Sequence, residues 1–254
     1  MAITIKSERE IELMAEAGKI LERVHNELEK ALRPGMSTKD IDTLGEEIIR
    51  SYDCIPSFLN YNGYPASICV SVNQEVVHGI PDKHRIIREG DIVSLDAGVI
   101  YKGYHSDAAR THAVGEVSEE AKKLIQVTKE CFFEGIKYAK AGNHLFDISG
   151  AIGRYAEERG YGVVRDLCGH GIGTALHEAP EIPNYEMGRK GVKLRPGMTL
   201  AIEPMINAGT YEVDWLDDDW TVVTRDGSLS AHYENTILIT EGEPRILSLT
   251  CENE

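Results

Sequence analysis

The chain has 254 residues, 42% hydrophobic and 27% charged, an ordinary composition for a soluble globular protein with a sizeable core. Its 27 basic against 42 acidic side chains leave a formal charge of -15, which argues against general nucleic-acid or anionic-membrane binding. No apolar run approaches the roughly 20 residues that span a bilayer, and the charged start "MAITIKSEREIE" is no secretory signal.

The first predicted element is a helix in "SEREIELMAEAGKILERVHNELEKAL", opened by a capping box of Ser7 with Glu10. Ile11, Met14, Ala17, Ile20, Leu21 and Val24 give it an apolar stripe. "RPG" ends it, and a second helix is predicted over 37–52. "SICVSV" (67–72) reads as a strand. Next comes "SLDAGVIYKGYHSDAART" (94–111), two strand-like runs joined by a tight-turn signal. A two-residue loop at Lys102-Gly103 pairs Tyr101 with Tyr104, Gly98 with Asp107 and Asp96 with Ala109. Both aspartates then project from one face, diagonally opposed. Burying two such charges unpaired is expensive. Helices are predicted over 118–140 and 147–159, and strands at "GVVRDLCGHGIG", "MTLAIEPMI", "WTVVT" and "SAHYENTILIT". The acidic "DWLDDDW" reads as a loop by composition. The five cysteines (Cys54, Cys69, Cys131, Cys168, Cys251) are scattered without a C-x-x-C pair, which fits reduced thiols in a cytoplasm.

A weak repeat runs through the chain at an offset of 107. "PGMSTKDI" (34–41) aligns with "AGNHLFDI" (141–148), and "REGDIVSLD" (88–96) with "RPGMTLAIE" (195–203), so that Asp96 meets Glu203. An offset of 99 matches His78 to His177. Two related halves are expected, about 5–115 and 116–250, each with helices and a carboxylate-bearing strand.

Asp96, Asp107, Glu203 and Glu234 stand in apolar, strand-like runs, where acidic residues are rarely buried without a partner. His170 stands among Gly169, Gly171 and Gly173, which leave room for close approach. Alone, each of the four carboxylates reads at least as well as a solvated or salt-bridged strand residue, and a lone His170 is more often a satisfied core histidine than a ligand. Together they form an oxygen-rich set with one imidazole, whose four negative charges balance two divalent cations. Such a set suits Mn²⁺, Fe²⁺ or Co²⁺ better than a thiolate zinc site.

"VNQEVVHGIP", "GDIVSLDAGVIYKGYHSDAART", "GHGIGTALHEAPEIPNY", "LRPGMTLAIEP" and "DGSLSAHYENTILIT" closely resemble the type I methionine aminopeptidases, in order and from about Ile5 to Leu247. The chain has neither the helical insertion of the type II enzymes nor a long zinc-binding N-terminal extension, and so resembles the short bacterial form. The resemblance implies the α/β "pita-bread" fold, a pseudo-twofold antiparallel sheet flanked by helices. It implies metal ligands at Asp96, Asp107, His170, Glu203 and Glu234. Strict use of the repeat would pair Asp107 with Asp214; the family pattern favours Glu234.

The family's catalytic histidines fall on His78 and His177. In the implied reaction a hydroxide bridging two metals attacks the first peptide carbonyl, and the free α-amine coordinates one metal. Glu203 carries the proton to the leaving amine, His177 stabilises the oxyanion, and His78 bonds the scissile nitrogen or helps place the substrate. A soft, apolar methionine pocket is implied at Phe58, Tyr61, Tyr64, Cys69, Leu176 and Trp220. Many relatives carry Phe where Leu176 stands and some carry Cys where Phe58 stands, departures that bear on the strictness for Met. A monovalent cation near Asn73 and Ser230 is also implied. So are nascent N-termini with a small second residue as substrates, transient ribosome association and a monomer. The start Met-Ala would make the chain its own substrate. An X-Pro aminopeptidase or prolidase shares fold and metal set, and a non-catalytic pita-bread binding protein is a third reading.

Overall fold

The computed structural model describes residues 2–249, so that Met1 and Cys251 lie outside it. All four predicted helices form, as α1 (Glu8–Ala31), α2 (Thr38–Ser51), α3 (Glu119–Ile136) and α4 (Leu145–Glu157). The strands between the first helices and α3 are β1 (Ile55–Pro56), β2 (Ile68–Val72), β3 (Glu75–Val77), β4 (Ile92–Tyr101) and β5 (Tyr104–Ala113). After α4 come β6 (Gly162–Val163), β7 (Gly169–Gly171), β8 (Glu178–Ile182), β9 (Thr199–Ile202) and β10 (Met205–Asn207). The last are β11 (Val213–Trp215), β12 (Val222–Thr224), β13 (Ser230–His232), β14 (Asn235–Leu238) and β15 (Arg245–Ile246). No described helix is long and apolar enough to cross a membrane. Among the described residues, Cys54, Cys69, Cys131 and Cys168 are free thiols.

The β4–β5 hairpin has the predicted register: Tyr101 opposite Tyr104, Gly98 opposite Asp107, Asp96 opposite Ala109. Lys102 and Gly103 both take left-handed φ (48° and 87°), as a two-residue turn with the twist of its strands requires. Alternation along β4 then sorts the side chains. Val93, Leu95, Ala97 and Val99 join Ile68, Val70 and Val72 of β2 in a core under α1 and α2. Asp96 falls on the other face, with Cys69 of β2 as its cross-strand partner. β9 and β14 repeat the arrangement. Leu200, Ile202 and Ile237 face the core under α3 and α4, which leaves the opposite face to the Glu203 and Glu234 side.

The pseudo-twofold of the fold is visible in matching bonds. Gly35 N–H reaches Ile87 O (2.9 Å) and Gly142 N–H reaches Leu194 O (3.1 Å), both glycines left-handed. Asp40 accepts from Ser37 N–H and Asp147 from His144 N–H, each at 2.8 Å, at the starts of α2 and α4. A seam joins the two sheet regions: Ala109 and Glu234 exchange backbone hydrogen bonds, and Thr236 Oγ1 bonds both N–H and C=O of Asp107 (2.9 Å each).

Several predicted boundaries shift for physical reasons. α4 starts at Leu145 rather than 147 because Asp147 serves as the reach-back carboxylate of its first turn. "MTLAIEPMI" divides into β9 and β10 at Glu203-Pro204, since a proline has no N–H to give a ladder. "SAHYENTILIT" divides at Tyr233-Glu234, where Glu234 turns its backbone to Ala109. "GVVRDLCGHGIG" is strand only at β6 and β7. The acidic "DWLDDDW" is not simply a loop: Val213–Trp215 pairs with β12 as a hairpin arm, and Asp214 points outward to Arg225.

Candidate active site

One cavity of about 140 Å³, the size that holds a benzene-like group, gathers the residues singled out in the sequence. Asp96, Asp107, His170, Glu203 and Glu234 lie on its wall with His78 and His177. Phe58, Tyr61, Tyr64, Cys69, Leu176 and Trp220 line it as well, and so does Asn62, which no motif in the chain marks.

Asp96 and Asp107 hang from the hairpin, Glu203 follows β9, and Glu234 precedes β14. His170 sits on β7 opposite Ala201 of β9. The flanking glycines are required there: a Cβ on Gly169 would lie 2.4 Å from Ala201 O, and one on Gly171 2.2 Å from Ala179 O. His170 Nδ1 is 2.9 Å from Gly171 O. A carbonyl only accepts, so Nδ1 carries the proton and Nε2 presents a bare lone pair. That nitrogen lies 3.5 Å from Glu203 Oε1 and 3.9 Å from Asp107 Oδ2. Ligand atoms of Asp107, His170 and Glu234 lie within 4.8 Å of one another.

This cluster is electrostatically incomplete by itself. Asp96 Oδ1, Asp107 Oδ1 and Glu234 Oε1 are buried with no hydrogen-bond partner. Burial pushes the Asp96 carboxyl up to about 7. Burial, then neighbouring carboxylates, hold Asp107, Glu203 and Glu234 well above the usual range. Burial brings His170 down to about 3, so its ring stays neutral and lends no compensating charge. Divalent cations are what such a donor set fits: hard oxygens and one neutral imidazole, with Arg110 the cation acting on Glu234 only weakly enough that its carboxyl stays raised.

The two outer histidines are held differently. His78 has a left-handed backbone (φ 60°), and its ring meets Trp220 edge-on at 6.3 Å. Burial brings it down to about 4. His177 packs edge-on against His170, ring centroids 4.2 Å apart, and its Nδ1 lies 2.7 Å from the Tyr61 hydroxyl. Tyr64 and Trp220 form an edge-to-face pair at 5.1 Å, and Tyr64 donates to Gly79 O (2.9 Å). Asn73 and Ser230 also meet, through a 2.9 Å bond from Ser230 N–H to Asn73 O.

Two buried histidines near the centre escape sequence reasoning. His232 Nε2 lies 3.9 Å from Glu203 Oε2 and 4.0 Å from Glu234 Oε2, with neither ring nitrogen hydrogen-bonded. Its place two residues before Glu234 in "SAHYENT" was the available signal. His105 bonds Ser57 Oγ through Nδ1 (3.0 Å), and nothing local in "KGYHSD" marks it.

The sequence profile described as "Metallopeptidase family M24" matches residues 12–241. A methionine aminopeptidase from Clostridium acetobutylicum is 58% identical over 98% of this chain and 100% of its own. The crystal structure of a methionine aminopeptidase from Thermotoga maritima superposes with a TM-score of 0.96 at 47% identity, covering 98% of this chain and 100% of that one. An Xaa-Pro dipeptidase from Bacillus anthracis is more distant, with a TM-score of 0.77 and 27% identity over 97% of this chain, which spans 62% of it. The full-length agreement lies on the side of the first two, and the chain belongs to metallopeptidase family M24 and, within it, to the methionine aminopeptidases.

Proposed function

We propose that this protein removes the N-terminal methionine of new polypeptides whose second residue is small. One observation carries the reading: the soft apolar wall of Phe58, Tyr61, Tyr64, Cys69, Leu176 and Trp220 shares one cavity with the carboxylate–histidine cluster. A flexible thioether suits polarizable, aromatic walls, and a side chain seated there brings the first peptide bond to the carboxylates.

Asp96, Asp107, His170, Glu203 and Glu234 would hold two divalent ions, with Mn²⁺, Fe²⁺ or Co²⁺ favoured by the oxygen-rich donor set. Bound there, such ions supply Lewis acidity to the carbonyl and acidify water. Glu203 takes a proton from the attacking water and passes it to the leaving amine, a role supported by its place on the cavity wall 3.5 Å from His170 Nε2. His177 donates to the carbonyl oxygen as it gains charge, and His78 hydrogen-bonds the scissile nitrogen. A monovalent cation at Asn73 and Ser230, and action in the cytoplasm as a monomer on chains leaving the ribosome, belong to the same proposal.

The test is a cleavage assay on Met-Ala-Ser, Leu-Ala-Ser and Ala-Pro-Ser with metal-stripped and Mn²⁺-loaded protein. Metal-dependent release of Met alone is the expected result. Preferred cleavage of the proline peptide would move the protein to the X-Pro side of the family, and no turnover with any metal would favour a binding role.

A further inference from the structure

His177 stands on a segment without regular structure between β7 and β8, and the residue is exposed, so its ring needs an anchor. Tyr61, on the short turn Tyr61–Gly63, supplies one from 116 positions away: its hydroxyl lies 2.7 Å from His177 Nδ1. The rings are 5.2 Å apart and tilted by 59°, so the phenol meets the imidazole by its hydroxyl rather than by stacking. His170 also packs edge-on against the His177 ring, at 4.2 Å. A neutral imidazole has one N–H and one bare nitrogen. If the phenol donates to Nδ1, the ring proton must sit on Nε2, the nitrogen left free for the substrate.

We propose that Tyr61 is a positioning residue: its hydroxyl donates to His177 Nδ1, fixes the Nε2–H tautomer and aims that N–H at the substrate carbonyl. This goes beyond the wall role of the Tyr61 ring, and it rests on the reading of His177 as the oxyanion donor. Burial raises the Tyr61 hydroxyl above its ordinary range, which keeps it a proton donor throughout neutral pH.

Tyr61→Phe keeps the ring in the wall and removes only the hydroxyl. In the Mn²⁺-loaded enzyme the expected result on Met-Ala-Ser is a kcat lower by about 10-fold or more, with KM within about 2-fold. A second readout needs no metal or turnover: ¹⁵N-histidine NMR of the metal-free protein. Wild type is expected to show a bare Nδ1 and protonated Nε2 at His177, and Tyr61→Phe a shifted or averaged pattern. Tyr61→Leu, which also removes the wall, is expected to raise KM as well. Wild-type kcat in Tyr61→Phe overturns the proposal whatever the NMR pattern. A kcat loss with unchanged His177 nitrogen shifts overturns it too, because the loss would not pass through that ring. Failure of the parent reading looks different: His177→Ala then keeps full kcat, or wild type releases no Met, while the NMR contrast persists.

Discussion

Gly98 faces Asp107 across the β4–β5 hairpin, and the absent side chain at 98 is what lets Phe58 reach the cavity. A Cβ on Gly98 would lie 2.7 Å from Ser57 Cβ and 3.0 Å from Phe58 Cε1. Ser57 cannot easily retreat, because its N–H is bonded to Gly98 O at 2.9 Å. Gly98→Ala is therefore expected to displace Phe58 while leaving the carboxylates in place. At an overpacking cost of about 1–3 kcal/mol, KM for Met-Ala-Ser should rise about 10-fold with kcat nearly unchanged. Steady-state kinetics with a calorimetric metal titration would separate this from damage to the metal site.

Asp107 has a buried, unpartnered Oδ1 and a second oxygen facing His170 Nε2. Asp107→Asn removes its charge and keeps its shape. Divalent-metal stoichiometry should fall and kcat/KM drop by at least about 10²-fold. At neutral pH the metal-free variant should melt higher than metal-free wild type, since an amide at 107 is buried without the proton uptake that the raised Asp107 carboxyl requires. Full metal binding by the variant would remove Asp107 from the ligand set.

The same burial makes the metal-free protein sensitive to pH. Asp96 is raised from 3.8 to about 7, and Asp107, Glu203 and Glu234 are raised well above the carboxylate range. Between the unfolded and folded pKa of such a group, the folded state binds more protons than the unfolded one. Its contribution is thus complete below the unfolded value and lost as pH rises through the folded value. Metal-free protein should lose stability from about pH 4 to 7 and above, by a few kcal/mol in order of magnitude. Divalent metal takes the place of those protons, so the midpoint gain on adding Mn²⁺ should grow with pH. Scanning calorimetry checks this directly. A metal-induced gain that is flat across the window would mean these carboxylates are already ionised without metal.

The hairpin was readable in advance because a two-residue turn leaves a single register, and alternation then places Asp96 and Asp107 without further information. The repeat was readable because turns and helix starts recur with their own local chemistry, as at Ser37/Asp40 and His144/Asp147. What stayed hidden was long-range. The Tyr61–His177 bond, His105 on Ser57, and the Thr236 clasp on Asp107 join residues that no local pattern connects. The β11 strand was masked by its acidic neighbours: Asp214 projects into solvent beside Arg225, so a polar residue there says nothing against pairing.

His78 lines the cavity from a strained backbone position. A left-handed φ of 60° costs a side-chain-bearing residue about 1 kcal/mol relative to glycine. The following Gly79 ties this backbone to β2, its N–H bonding Ser71 Oγ at 3.1 Å and its C=O accepting from Val70 N–H at 3.0 Å. His78→Ala and His78→Gly both remove the imidazole, and both should lower kcat by about 10²-fold. They differ only in backbone freedom, so the glycine variant should be the more stable of the two by about 1 kcal/mol in denaturant titrations. Equal stability would mean that the turn, not the side chain at 78, sets the backbone strain. Unchanged kcat in both variants would show that the leaving nitrogen is served from elsewhere in the cavity.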